Sequence, residues 1–177
     1  MCTSMGLTLL PHQKELIESI HKTTVITGGY GCGKTFALAY GICEAILKEP
    51  DKSYAIFSRE TCWLIDNLLK MAKWRGLKAK KSSDHMVKIG NGCVEVYSQG
   101  DLTTSNDLHK CNHWKIWFDI ACTGRYEHAL RQVDDTRDHR WQAFGAVEGC
   151  DEELDQKFER IKFITPKPMN LWSMKNE

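Results

Sequence analysis

The residues with the clearest chemical potential are Gly28, Gly29, Tyr30, Gly31, Cys32, Gly33, Lys34 and Thr35, which together match G-x-x-x-x-G-K-[ST] in full. In a chain of this length a chance match is roughly a one-in-a-hundred event. Glycines at these spacings let consecutive backbone N–H groups turn inward around a phosphate. A helix beginning near Lys34 adds its positive dipole end and its unpaired amides. In that arrangement Lys34 lies against the β and γ phosphates of a nucleoside triphosphate, the Thr35 hydroxyl ligates Mg²⁺, and Phe36 completes the binding segment. A flexible glycine turn ahead of a helix would explain the glycines but not the Lys-Thr pair.

Such a loop needs a second carboxylate for the magnesium shell, normally at the carboxyl end of a buried strand beside it. The run Ile116-Trp117-Phe118-Asp119 supplies one. Asp119 reads either as that ligand or as an ordinary acid at a strand end. Many ATPases follow this aspartate with a glutamate that polarises the attacking water, whereas here Ile120 follows. Glu127, Glu60 and Glu148 are the substitutes for a water-orienting base, and spacing alone does not separate them from surface acids. No guanine-reading Asn-Lys-x-Asp motif occurs, which favours adenine.

The elements that must position these groups alternate in type. Residues 11–21 place Leu16, Ile17 and Ile20 on one helical face behind Pro11, and 24–27 form a β-branched run ending in glycines. A helix is predicted over 34–48 through Phe36, Ala37, Tyr40, Ile42 and Leu47, halted by Pro50, followed by a strand at 53–58. Helical spacing returns over 61–74 through Leu64, Ile65, Leu68, Leu69 and Ala72, with Gly76 as its stop. Strands flanking Gly90-Asn91-Gly92 predict a hairpin, because glycine and asparagine accept the positive φ of a two-residue turn. Strands at 114–119, 141–146 and 161–165 and helices near 125–133 and 151–160 complete the pattern. The expectation is an α/β fold, a mainly parallel sheet covered on both faces with an antiparallel hairpin inserted.

Four places, in order, resemble the ATPase domain of phage and viral large terminase subunits, the motors that translocate DNA into capsids. These are Pro11-x-Gln13 ahead of the first strand, the loop GGYGCGKT, the strand ending at Asp119, and Phe144-Gly145-Ala146-Val147-Glu148-Gly149. The resemblance covers about residues 8–165 and implies a P-loop NTPase fold of the RecA/ASCE-like kind. It casts Gln13 as an adenine contact, against the alternative of an exposed helix residue, and the segment after Phe144 as a coupling motif. It implies an arginine that stabilises transition-state charge, for which Arg125, Arg131, Arg137 and Arg140 are candidates, since the loop itself carries Tyr30. It also implies double-stranded DNA, a portal and a small terminase subunit as partners, and assembly into a homo-oligomeric ring. Departures are Ile120 after Asp119, Ala146 where the family often has a hydroxyl residue, and no sign of the family's nuclease aspartates. The expectation is therefore a single ATPase domain over 1–177, without a nuclease domain.

Composition bounds these readings. The chain has 177 residues, 42% hydrophobic and 27% charged, enough for one domain with a core. With 24 Lys plus Arg against 23 Asp plus Glu, nucleic-acid contact requires a local patch. Lys73, Arg75, Lys78, Lys80 and Lys81, with Trp74 among them, are that patch or a solvated face. Neither a signal peptide nor a membrane span is visible, so a soluble cytoplasmic protein, in the host cytoplasm if viral, is expected. The eight cysteines lack a Cys-x-x-Cys pair, and His109-x-Cys111-x-His113 lacks a fourth ligand and reads as a polar loop. Three functions fit: a Mg-ATP hydrolase moving double-stranded DNA, a nucleotide-binding assembly module with weak hydrolysis, and a small-molecule kinase.

Overall fold

Short β-branched and aromatic runs between the helices pair into one sheet, because a strand buried on both faces must satisfy its backbone laterally. The computed structural model of the chain describes residues 8–29, 31–98, 113–120, 142–148 and 161–166. Its elements are α1 (Pro11–Ile17), β1 (Thr23–Gly28), α2 (Lys34–Lys48), β2 (Tyr54–Ser58), α3 (Thr61–Trp74), β3 (Ala79–Ser83), β4 (Met86–Ile89), β5 (Gly92–Ser98), β6 (Lys115–Ile120), β7 (Gln142–Glu148) and β8 (Ile161–Ile164). The eight strands lie in the order β3-β4-β5-β2-β6-β7-β1-β8. Pairing is parallel from β5 through β8 and antiparallel among β3, β4 and β5. This is the expected mainly parallel α/β sheet, with the hairpin at an edge.

The described helices share one face. There α2 packs between α1 and α3 and against β1, β5, β6 and β7. Leu38, Ile42 and Ile46 of α2 meet Ile26, Ile56, Val94, Trp117 and Phe144 from alternate positions of the strands. On the opposite face Phe57 stacks on Phe118 at 5.5 Å and on Tyr97 at 5.1 Å. The helices expected near 125–133 and 151–160 lie outside the described residues.

Helices 34–48 and 61–74 have the bounds expected from periodicity. The Tyr54 hydroxyl lies 3.0 Å from the Ala45 carbonyl and 2.7 Å from the Glu49 carbonyl, so its one proton is shared between them and fastens the end of α2 to β2. The hairpin turns at Gly90, with φ +58°, and pairs Ile89 with Gly92.

Four expectations are corrected. Helix α1 stops at Ile17 rather than 21, and Ile20 is 90% exposed. Ser19 ends it, since its hydroxyl lies 2.6 Å from that of Thr24 and accepts from the His21 N–H, turning the chain into β1. On α2, Leu38, Cys43 and Ile46 are buried while Leu47 is exposed. Residues 79–83 form edge strand β3, invisible to periodicity because Lys80, Lys81, Ser82 and Ser83 are all exposed. Lysines on an edge discourage pairing with another chain. Arg75 leaves the basic patch altogether, since it pairs with Glu44 and lies 4.2 Å over the Tyr40 ring, while Lys81 pairs with Asp84 at 2.6 Å.

His113, the one described residue of the His-Cys-His cluster, is buried beside Tyr97, and its Nε2 is 3.6 Å from Glu95. Burial lowers its pKa from the ordinary 6.5, with Glu95 acting in the opposite direction. The unfolded chain then takes up a proton that the folded chain still refuses, so stability falls as pH drops below about 6.5. His113→Gln should flatten that acid limb in a plot of Tm against pH, and an unchanged limb would exclude His113 as its source. Leu38→Ala should destabilise by about 2–5 kcal/mol, read as a lower urea midpoint at constant slope. A cost below about 1 kcal/mol would contradict the docking of α2.

Candidate phosphate-binding site

Strand β1 delivers the chain to the carboxyl edge of the sheet, where ligands of open α/β sheets bind. Thr27, the last buried residue of β1, anchors it to β8 and the residue that follows through its hydroxyl, 3.4 Å from the Ile164 carbonyl and 3.0 Å from the Thr165 hydroxyl. The backbone then bends through Gly28, Gly31 and Gly33, with φ of +144°, +81° and +80°. Helix α2 starts from Gly33, whose carbonyl accepts from Ala37 N–H at 3.0 Å. A side chain at Gly33 is excluded twice, by the left-handed φ and because its Cβ would lie 2.4 Å from Gln13 Nε2.

Lys34 is only 9% exposed. Its Nζ donates to the carbonyls of Gly28 (3.0 Å) and Gly29 (2.8 Å) and lies 3.7 Å from Cys32 Sγ. The ammonium is thus held inside the loop by neutral acceptors, which a phosphate oxygen outcompetes electrostatically. Thr35, in the first turn of α2, donates its hydroxyl to Asp119, 3.1 Å from each carboxylate oxygen. Asp119 is 8% exposed, on β6, two strands from β1. Sequence separates Thr35 and Asp119 by 84 positions, and the sheet brings them into contact. A hydroxyl and a carboxylate are the hard oxygen donors that Mg²⁺ favours.

Helix α1 braces the loop from behind. Gln13, 4% exposed, donates its Nε2 to the Gly33 carbonyl at 3.2 Å and accepts from Leu10 N–H at 2.9 Å. It is therefore not an exposed helix residue, and both ends of its amide are engaged within the chain. Beside it His12 Nε2 lies 3.1 Å from the Cys32 carbonyl. Sequence reasoning missed His12, although its position between Pro11 and Gln13 was the available signal. Phe36 leans on Trp74, ring centroids 6.4 Å apart. Tyr30, Arg125, Glu127, Arg131, Arg137 and Arg140 lie outside the described residues. Among the described residues no group of three or more His, Cys, Asp or Glu side chains could hold a metal ion.

No family model matches the chain, and neither does any curated protein sequence. Solved structures do share its fold. A Thermus phage large terminase ATPase domain, solved as a point mutant, superposes with a TM-score of 0.70 at 10% identity, covering 97% of this chain and 86% of that one. The large terminase of a thermophilic bacteriophage in complex with ADP gives 0.65 at 14% identity, covering 89% and 45%. The bacteriophage Phi-29 viral genome packaging motor assembly gives 0.60 at 11% identity, covering 90% and 53%. The fold is thus that of the P-loop NTPase domains of large terminases, and the chain spans less than half the length of the terminase solved with ADP.

The bracing of the loop can be measured as a coupling. Gly33→Ala should weaken binding of a fluorescent ATP analogue and lower Tm. The same change in a Gln13→Ala background should cost less than the sum of the two single changes, because the clash at Nε2 is gone. Strict additivity would show that Gln13 does not press on the loop.

Proposed function

We propose that this chain, with the fold of the large terminase ATPase domains, binds Mg-ATP at residues 28–36 and hydrolyses it to move double-stranded DNA. The observation that carries the reading is the Thr35 hydroxyl within 3.1 Å of both oxygens of Asp119, beside a lysine buried in a glycine loop. A turn of purely structural purpose has no need to bury an ammonium next to a hydroxyl-carboxylate pair. The loop amides and the start of α2 would bind the phosphates, and Lys34 would exchange the Gly28 and Gly29 carbonyls for β and γ phosphate oxygens. Thr35 and Asp119 would hold Mg²⁺, which when bound neutralises charge on the phosphates. Gln13 and His12 keep the loop carbonyls turned away from the anion. If Gln13 also reads adenine, it does so from this braced position.

The motor reading carries the family's partners with it: double-stranded DNA, a portal, a small terminase subunit, and further copies of this chain in a ring, one of which would supply the arginine. Among the described residues no helix is long and apolar enough to cross a membrane, and a cytoplasmic site of action fits packaging. A nucleotide-binding module with weak hydrolysis is the second reading, favoured by Ile120 in the place after Asp119.

Steady-state ATP hydrolysis with and without double-stranded DNA tests both. Lys34→Ala should lower turnover by roughly 10²-fold or more, and DNA should accelerate the wild type. Tight binding without turnover would select the module. Wild-type nucleotide affinity in Lys34→Ala would remove the phosphate-loop assignment itself.

A further inference from the structure

We propose that Glu148 is the carboxylate that orients the attacking water, in place of the glutamate absent after Asp119; the proposal rests on the ATPase reading above. The argument is one of position in the sheet. Among the described strands β7 is the one bonded to both β1 and β6, so it separates the loop after β1 from Asp119. Its register pairs Ala146 with Asp119 and Glu148 with Gly28, the first residue of the loop. Glu148 therefore stands one strand spacing, about 4.8 Å, from Gly28 and two residues, roughly 6.6 Å, beyond the row of Asp119 toward the ligand-binding edge. The sheet thus sets an acid in the same row as the first residue of the loop that carries Lys34 and Thr35.

The competing acid among the described residues is worse placed. Glu60 follows β2, which lies on the far side of β6, three strand spacings or roughly 14 Å from β1. Its backbone also begins α3, with its carbonyl accepting from Leu64 N–H at 3.0 Å. Glu127 lies outside the described residues. The step assigned to Glu148 is proton removal. As the water oxygen bonds to the γ-phosphorus, the bond from that phosphorus to the β–γ bridging oxygen breaks, and its electron pair leaves with ADP. The water's proton passes to the Glu148 carboxylate and then to solvent, leaving inorganic phosphate.

The test measures ATP hydrolysis and fluorescent-ATP binding for wild type, Glu148→Gln, Glu148→Asp and Glu60→Gln, with Tm to confirm folding. General-base loss predicts that Glu148→Gln lowers kcat by about 10²-fold or more, with nucleotide affinity within about threefold of wild type. The acid limb of the kcat–pH profile should disappear with it, a change that a structural role would not produce. Glu148→Asp should keep that limb at reduced kcat, and Glu60→Gln should behave as wild type. An active wild type with an equally active Glu148→Gln overturns the assignment and leaves the ATPase reading standing, as does a collapse confined to Glu60→Gln. A wild type that binds ATP but never hydrolyses it removes both.

Discussion

A nearly buried ammonium cannot be left without acceptors, and the carbonyls at the end of β1 meet that requirement for Lys34. Desolvating Lys34 is costly unless its three N–H bonds are directed at something. The Gly28 and Gly29 carbonyls accept two of them, and they can only because the chain bends at positions without a Cβ. An ammonium held at the start of a helix, where the first amides lack helical partners, has the polarity an anion needs. The braces follow from this. Thr27 ties the incoming strand to the chain after β8, while Gln13 and His12 hold the outgoing carbonyls of Gly33 and Cys32.

The sheet then does what no local segment can. Parallel strands end at a common edge, so registering β6 on β7 and β7 on β1 lines up Asp119, Ala146 and Ile26 across three strands. Thr35 reaches Asp119 because α2 lies over that row, packed through Leu38 and Ile42 against Ile26, Trp117 and Phe144. The apolar face of α2 and the polar start of α2 are thus one device: burial of the first sets the position of the second. The antiparallel β3–β5 region extends the sheet away from the site and carries its exposed lysines there. Arg75, in contrast, is spent between α3 and α2, on Glu44 and Tyr40, and stiffens the pair of helices rather than the surface.

Patterns confined to a few residues were readable in advance. The glycine-lysine-threonine loop, the turn at Gly90-Asn91 and the helices at 34–48 and 61–74 depend on spacing and on φ preferences that act locally. So did the strand leading to Asp119, since an apolar run ending in an acid is legible wherever it lies. What escaped had no local signature. Strand β3 pairs through its backbone while showing solvent four polar side chains, and α1 ends early because Ser19 finds Thr24 rather than another helical turn. His12 is an unremarkable residue until α1 is laid against the loop.

Sequence by itself determined that this chain makes a glycine loop closed by Lys34 and Thr35 on an α/β framework, because those residue types answer to dihedral sterics within one turn of backbone. Only the tertiary structure decided which distant groups share that loop. It chose Asp119 for Thr35, bound Gln13 to Gly33, drew Arg75 inward and registered Glu148 beside Gly28 rather than leaving it an anonymous acid. The reason is that strand order and register are set by burial of whole faces, a sum over many weak apolar contacts that no single stretch of sequence contains.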